Sequence, residues 1–185
     1  TLKTDYTNNQ KELIKNHVNY IINFIDYYNE INKNKKSEAI IQKEVLEIIE
    51  KLRVNENPNE YIFIYDFNGN LVQDAIAKKD NIGHNYLNTQ DIKGKEVIKE
   101  LINTSKRNLG GYVEYIWYKP EISKQTTKIS YALSYNKWNW TIGKGVYLDE
   151  IDKLIKEKEE DYNQKISNYT LQITSLTIML VLYSI

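Results

Sequence analysis

The chain has 185 residues, enough for one well-buried domain with extended helices and too few for two independent ones. Its 25 acidic and 25 basic side chains cancel and no basic block stands out, so nothing suggests a nucleic-acid partner. The lack of cysteine excludes disulfides, thiolate chemistry and Cys-ligated zinc, and leaves the redox compartment open.

Leu2 to Ile31 reads as a long amphipathic helix: Ile14, Val18, Ile21, Ile25 and Tyr28 recur at spacings of four and three and share one side. That stripe can pack on the domain's own sheet or on the same helix of a second copy. Polar Asn32 to Lys36 breaks the pattern. Glu38 to Leu52 forms a second, shorter helix with Ile40, Ile41, Val45 and Ile48 on its apolar face, and Asn55 to Asn59, with Pro58, makes a loop.

Tyr61 to Phe67, Asn68-Gly69 and Asn70 to Asp74 make a hairpin, for which Asn-Gly predicts a type I′ turn. Asp66-x-Asn68-x-Asn70 has the look of a calcium loop. Leu71 stands where such a loop needs glycine and Ala77 where it needs a bidentate glutamate, which argues against one. Residues 76 to 88 form a polar connection. Asp91 to Asn108 is the third helix, with Val97, Ile98, Leu101 and Ile102 inward, ended by Gly110-Gly111.

Apolar and aromatic residues then alternate with polar ones from Gly111 to Leu148, the period of strands with one buried face. The first strand runs from Tyr112 to Lys119 and stops at Pro120; the second is Thr127 to Tyr135. After a turn at Asn136-Lys137 the third runs from Trp138 to Leu148, where Gly143 and Gly145 leave room for a backbone or a ligand. Tyr115, Trp117 and Lys119 share one face, an aromatic wall with an ammonium at its rim, which Tyr131 joins if the register allows. Asp149 to the end is helical, with Ile155, Tyr162, Tyr169 and Leu176 on one heptad line and Ile166, Ile173 and Leu180 on its partner. Lys158 and Glu159 interrupt the pattern early. Leu171 to Ile185 is uncharged and reads as the first part of a transmembrane helix.

The order predicts an α+β fold, a mainly antiparallel five-stranded sheet with helices on one side. Catalysis has no candidate site. His17 and His84 belong to no recognisable triad or metal-ligand spacing, Walker and GxGxxG motifs are absent, and Gly143-Lys144-Gly145 is too short to cradle phosphates. No enzyme activity, metal or cofactor is expected.

Three ordered motifs carry a resemblance: Gly111-Tyr112-Val113-Glu114-Tyr115-Ile116-Trp117-Tyr118-Lys119-Pro120, then Lys128-Ile129-Ser130-Tyr131, then Trp138 to Ile151. With the upstream stretch Tyr61 to Gly69, the chain resembles the single-Cache sensors found outside the membrane in bacterial chemoreceptors and sensor kinases. The resemblance implies a PAS-like sheet with a long N-terminal helix, a short second helix and a long C-terminal one. Residues 1–54 would be the N-terminal helices, 55–150 the sheet domain, 151–170 a signalling helix and 171–185 the start of a membrane span.

It also implies a periplasmic or extracellular ligand-sensing domain of a membrane receptor, homodimeric when intact. A small organic acid or similar molecule would lie on the face away from the first helix. The positions carried over are Phe63, Tyr65, Asp74, Tyr115, Trp117, Lys119, Lys128 and Tyr131. Tyrosine and tryptophan suit such a role as apolar walls with a polar handle, and lysine as a cation for a carboxylate. Lys128 and Tyr131 differ by an odd number, so one regular strand cannot point both at one site; Tyr131 is the preferred of the two. The family pattern has a His-Pro pair where this chain has Asp74-Ala75. An aspartate there repels a plain carboxylate, so it favours a ligand with a hydrogen-bond donor, pairs with a lysine, or stays solvated at a strand end. The alternative function is a ligand-free structural, dimerisation or partner-docking domain.

Overall fold

A computed structural model describes residues 2–52, 59, 61–74, 79–119, 122 and 124–184. Helix α1 (Leu2–Asn32) and helix α2 (Glu38–Lys51) precede strands β1 (Ile62–Asp66) and β2 (Leu71–Asp74). Helix α3 (Val97–Ser105) follows a long connection, and β3 (Gly111–Lys119), β4 (Lys124–Tyr135), β5 (Trp140–Tyr147) and helix α4 (Leu148–Tyr183) complete the chain. All strand pairs are antiparallel, in the order β2-β1-β5-β4-β3. The expected α+β, PAS-like architecture is the one observed. The loop around Pro58, residues 76–78, Pro120 and the boundary at 54/55 lie outside the described residues.

Helices cover both faces of the sheet and not the one side expected, because alternation gives the sheet two apolar faces. On one, α1 and α2 pack Ile14, Val18, Ile25, Ile41, Val45 and Ile49 against Ile64, Tyr131, Trp140, Ile142 and Val146. The α1 stripe therefore serves the domain's own sheet, with Ile21 and Tyr28 packed against the same core. On the other face, α3 covers Tyr61, Phe63, Tyr65, Leu71, Val113, Tyr115 and Ala132 with Val97, Ile98, Leu101 and Ile102. Each such buried aliphatic side chain contributes on the order of 1.5–3 kcal/mol.

Three local expectations are corrected. The β1–β2 turn is not type I′, because Gly69 is at φ 88° while Asn68 keeps a negative φ. Gly69 N–H donates to the Asp66 carbonyl and the register shifts beside Tyr65, a type I turn closed by a glycine bulge. The Asp66 carboxylate accepts the Asn68 and Asn70 N–H groups, which stabilises the wider turn. Helix α3 begins at Val97 instead of Asp91, because the Asp91 carboxylate accepts N–H bonds from Lys93 and Lys95 and holds a turn there. Strand β4 begins three residues earlier than expected, paired with β3 to its end at Lys119–Lys124.

Helix α4 touches the body only through its first turns, with Ile151 buried and Ile155 against the α1-side core. Lys3 Nζ on α1 and Asp152 on α4 form an ion pair at 2.6 Å, so the two helices meet there. Farther on, Tyr162, Ile166, Tyr169, Ile173, Leu176 and Leu180 are all exposed. Among the described residues no helix is long and apolar enough to cross a membrane.

Candidate functional site

The candidate site lies on the α3 face, where the sheet register lines up three rows of side chains. Asp74, Phe63, Gly143, Ala132 and Gly111 form one row across all five strands. Gly145, Ser130 and Val113 form the next, and Tyr147, Lys128 and Tyr115 the third. The two glycines of β5 open a trough in the middle of the sheet. A Cβ on Gly143 would stand 2.3 Å from the Phe63 ring, and one on Gly145 2.1 Å from Ser130 Oγ and 2.6 Å from Lys128 Cε. The room expected at these glycines is thus filled by the protein's own side chains.

Lys128 lies along this trough, 1% exposed. Its Nζ donates to the Tyr61 hydroxyl at 2.8 Å and stands 3.9 Å from the Tyr61 ring centroid, 4.9 Å from that of Tyr147 and 5.8 Å from that of Phe63. Ring faces attract a cation but do not replace its lost hydration. Burial therefore pulls the amine down to about 7, against the opposing pull of the Asp74 and Glu150 charges. Burial, with the charge of Asp74, pushes the Tyr61 hydroxyl well above its ordinary range, so it stays protonated. Tyr115 shares a hydrogen bond with Ser130 Oγ at 2.8 Å, and Trp117 packs edge-on against its ring. Tyr61, Phe63, Tyr65, Asp74, Ile98, Leu101, Tyr115 and Trp117 enclose a void of about 10 Å³, room for about one water. Asp74 and Trp117 are the partly exposed residues of this lining and mark its mouth.

Five of the eight expected positions, Phe63, Tyr65, Asp74, Tyr115 and Trp117, therefore line one void, and Lys128 approaches it through Tyr61. Tyr131 does not join them. It pairs with Lys144 and Tyr112, so it points at the α1 face, where its ring packs edge-on against Tyr112 and its hydroxyl donates to the Leu109 carbonyl. The preference for Tyr131 over Lys128 is thus reversed by the register. Lys119 is buried at the end of β3 but turned toward α4, with Asp149 at 2.9 Å and Glu150 at 3.3 Å. Burial draws that ammonium down, and the Asp149 hydrogen bond and the two acidic charges more than restore it. Tyr61, Ser130 and Tyr147 were not anticipated. Tyr61 stands two residues before Phe63 and Tyr147 two after Gly145, so the strand period places both on the site face.

Residues 6–161 match the family Single Cache domain 2. The chain belongs to this family. Its members serve as extracytoplasmic sensor domains of chemoreceptors and sensor kinases. The Cache domain is 41% identical over 91 residues to the sensor histidine kinase MctS of Rhizobium johnstonii, covering 49% of this chain and 19% of that protein. It is 27% identical over 150 residues to the methyl-accepting chemotaxis protein McpP of Pseudomonas putida, covering 80% of this chain and 27% of that one. The chain thus spans about a fifth to a quarter of these relatives' lengths. A methyl-accepting chemotaxis protein from Vibrio parahaemolyticus superposes with a TM-score of 0.68 at 26% identity, covering 80% of this chain and 95% of that one. The Cache domain's α3 face, away from α1, is where the resemblance located the ligand.

Proposed function

We propose that this Cache domain senses a small organic acid outside the cell membrane, holds its carboxylate at Lys128, and signals through α4. The observation that carries the reading is a buried amine with a hydroxyl partner and three aromatic faces beside a void. An arriving carboxylate supplies the counter-charge that the rings lack, and so stabilises the charged amine. The void is closed to about one water, so binding requires Trp117 or Asp74 at its mouth to yield. Asp74 at the mouth favours a ligand that also offers a hydrogen-bond donor, such as a hydroxy or amino acid. In the intact receptor, Leu171 onward leads into the membrane and two copies pair. Output as a kinase or a chemoreceptor belongs to parts of the protein beyond this domain.

Calorimetry with a panel of C2–C5 acids, on the wild type and on Lys128→Met, tests this. Binding lost in Lys128→Met is expected; equal affinity in both proteins overturns the assignment of Lys128. The small void favours a second reading, a ligand-free structural or docking domain. Thermal unfolding separates the two: a ligand at 100-fold its dissociation constant adds about 2.7 kcal/mol of stability, whereas a docking domain shows no shift with any acid.

A further inference from the structure

We propose a second ligand site, a groove between helix α2 and strand β2 that takes a short aliphatic diamine. It lies at the edge of the sheet and does not depend on the acid site at Lys128.

A strand irregularity builds the groove. Leu71 pairs with Tyr65 and Gln73 with Ile64, so β1 has no residue opposite Val72. An extra residue of this kind bends the strand and re-aims its side chains. Val72 packs on the α1-side core, and its neighbour Gln73 also reaches α2, where its Nε2 donates to the Leu46 carbonyl at 3.1 Å. Between the edge strand and the helix lies a groove of about 520 Å³, in the size range of small-molecule sites.

Two independent observations set the chemistry of its occupant. Gln73, which lines the groove, is 8% exposed, and among the described residues its buried Oε1 accepts no hydrogen bond. Turning the amide round brings no relief, because Oε1 would then face the Leu46 carbonyl oxygen. A buried carbonyl oxygen calls for a donor, which a ligand in the groove can bring. The charges of the lining call for a cation: Glu47, Glu50 and Asp74 stand against Lys43, three carboxylates to one ammonium, a surplus of two negative charges. A donor that is also a cation is an ammonium, and two surplus charges match two of them. One meets Gln73 Oε1 on the strand side and the other the carboxylates of α2, while Leu46 and Val72 offer apolar surface to the methylenes between. A metal ion fits less well, since among the described residues no three acidic or imidazole groups are placed to hold one.

The test is calorimetry with 1,4-diaminobutane in about 0.15 M NaCl, where loose attraction to an acidic surface is largely screened. It compares the wild-type domain with Glu50→Gln, Gln73→Met and Asp161→Asn. One diamine per domain is expected, bound about tenfold or more weakly in Glu50→Gln and Gln73→Met, as for the loss of one hydrogen bond to a charged group. Affinity is expected to be unchanged in Asp161→Asn, which removes an equal charge from the exposed part of α4. 1,4-Butanediol, the same chain without the charges, is expected not to bind. On the wild type, NMR titration with the diamine is expected to move the Gln73 side-chain amide signal, a readout that needs no variant to fold. Absence of diamine binding, equal affinity in all four proteins, or shifts that leave Gln73 and α2 untouched overturns the proposal. A domain that binds small acids but no diamine overturns this site alone.

Discussion

Lys128 Nζ and the Tyr61 hydroxyl meet at 2.8 Å across 67 residues of chain, the first half of β4 closing on the residue just before β1. Their contact joins the central hairpin pair to β1, and it makes the charge state of one lysine a property of the whole α3 face.

The first consequence is a pH dependence with a defined sign. Folding lowers the Lys128 pKa to about 7, whereas an unfolded lysine titrates near about 10.4. Between these values the unfolded chain holds more protons, so stability relative to Lys128→Met rises from pH 7 toward 10 and is flat below 7. The span is on the order of a few kcal/mol, read by denaturant midpoints across pH. A parallel pH profile for the two proteins counts against a buried, depressed amine.

Acid binding inherits the same titration. A bound carboxylate raises the amine's pKa, so above pH 7 binding takes up a proton and affinity falls by about tenfold per pH unit. Calorimetry in buffers of different ionisation enthalpy measures that proton directly. Uptake of none at pH 8.5 would contradict an ionic contact at Lys128.

The trough depends on Gly145. In Gly145→Ala the new methyl group meets Ser130 Oγ and Lys128 Cε well inside contact distance. About 1–3 kcal/mol of stability and most ligand affinity should be lost. Gly83→Ala, strained by the left-handed φ of 87° but with nothing within 4 Å of its Cβ, serves as a comparison that also costs stability yet leaves ligand affinity unchanged.

Lys119 links the site-face sheet to the first turn of α4 through Asp149 and Glu150, and Glu150 also accepts the Asn59 amide. In Lys119→Met, hydrogen exchange of residues 148–152 should quicken with acid binding unchanged. In an intact receptor, one residue inserted near Lys158 turns everything beyond it by about 100° and should uncouple ligand from output. Normal signalling after that insertion argues against transmission through α4.

Pairing of two copies has to use a surface that the domain does not. Val18 and Ile25 are consumed by the sheet, but Leu13, Tyr20 and Tyr27, seven residues apart, are exposed on another side of α1. Cysteines at these three positions should crosslink in membranes with heptad periodicity. Crosslinking at Val18 and Ile25 in preference would refute the exposed line as the contact.

Asp74→Ala separates ligand classes. If the ligand's donor meets Asp74, hydroxy and amino acids lose affinity by about tenfold while acetate is unaffected or gains, consistent with one net hydrogen bond to a charged group. Equal losses across all acids would assign Asp74 a structural part only.

Residue type and period, both local, determined much of this protein: the hairpin around Asn68-Gly69, the glycines of β5, the amphipathic α1 and the order of elements leading to an α+β sheet. The motifs between Gly111 and Ile151 also pointed to the Cache family. Which lysine faces the site was not local. Lys128 and Tyr131 differ in parity, but only the pairing of Tyr115 with Lys128 and of Tyr112 with Tyr131 says which face is which. Lys119 likewise shares the correct face yet is drawn off by two carboxylates at the start of α4, contacts 30 residues away in sequence. The turn at Asp66 and the late start of α3 at Val97 were settled by aspartate side chains competing with helix and turn geometry. Burial and register are properties of chain segments brought together, and so the enclosure of Lys128 beside Tyr61, on which the proposed acid site rests, belongs to the tertiary structure alone.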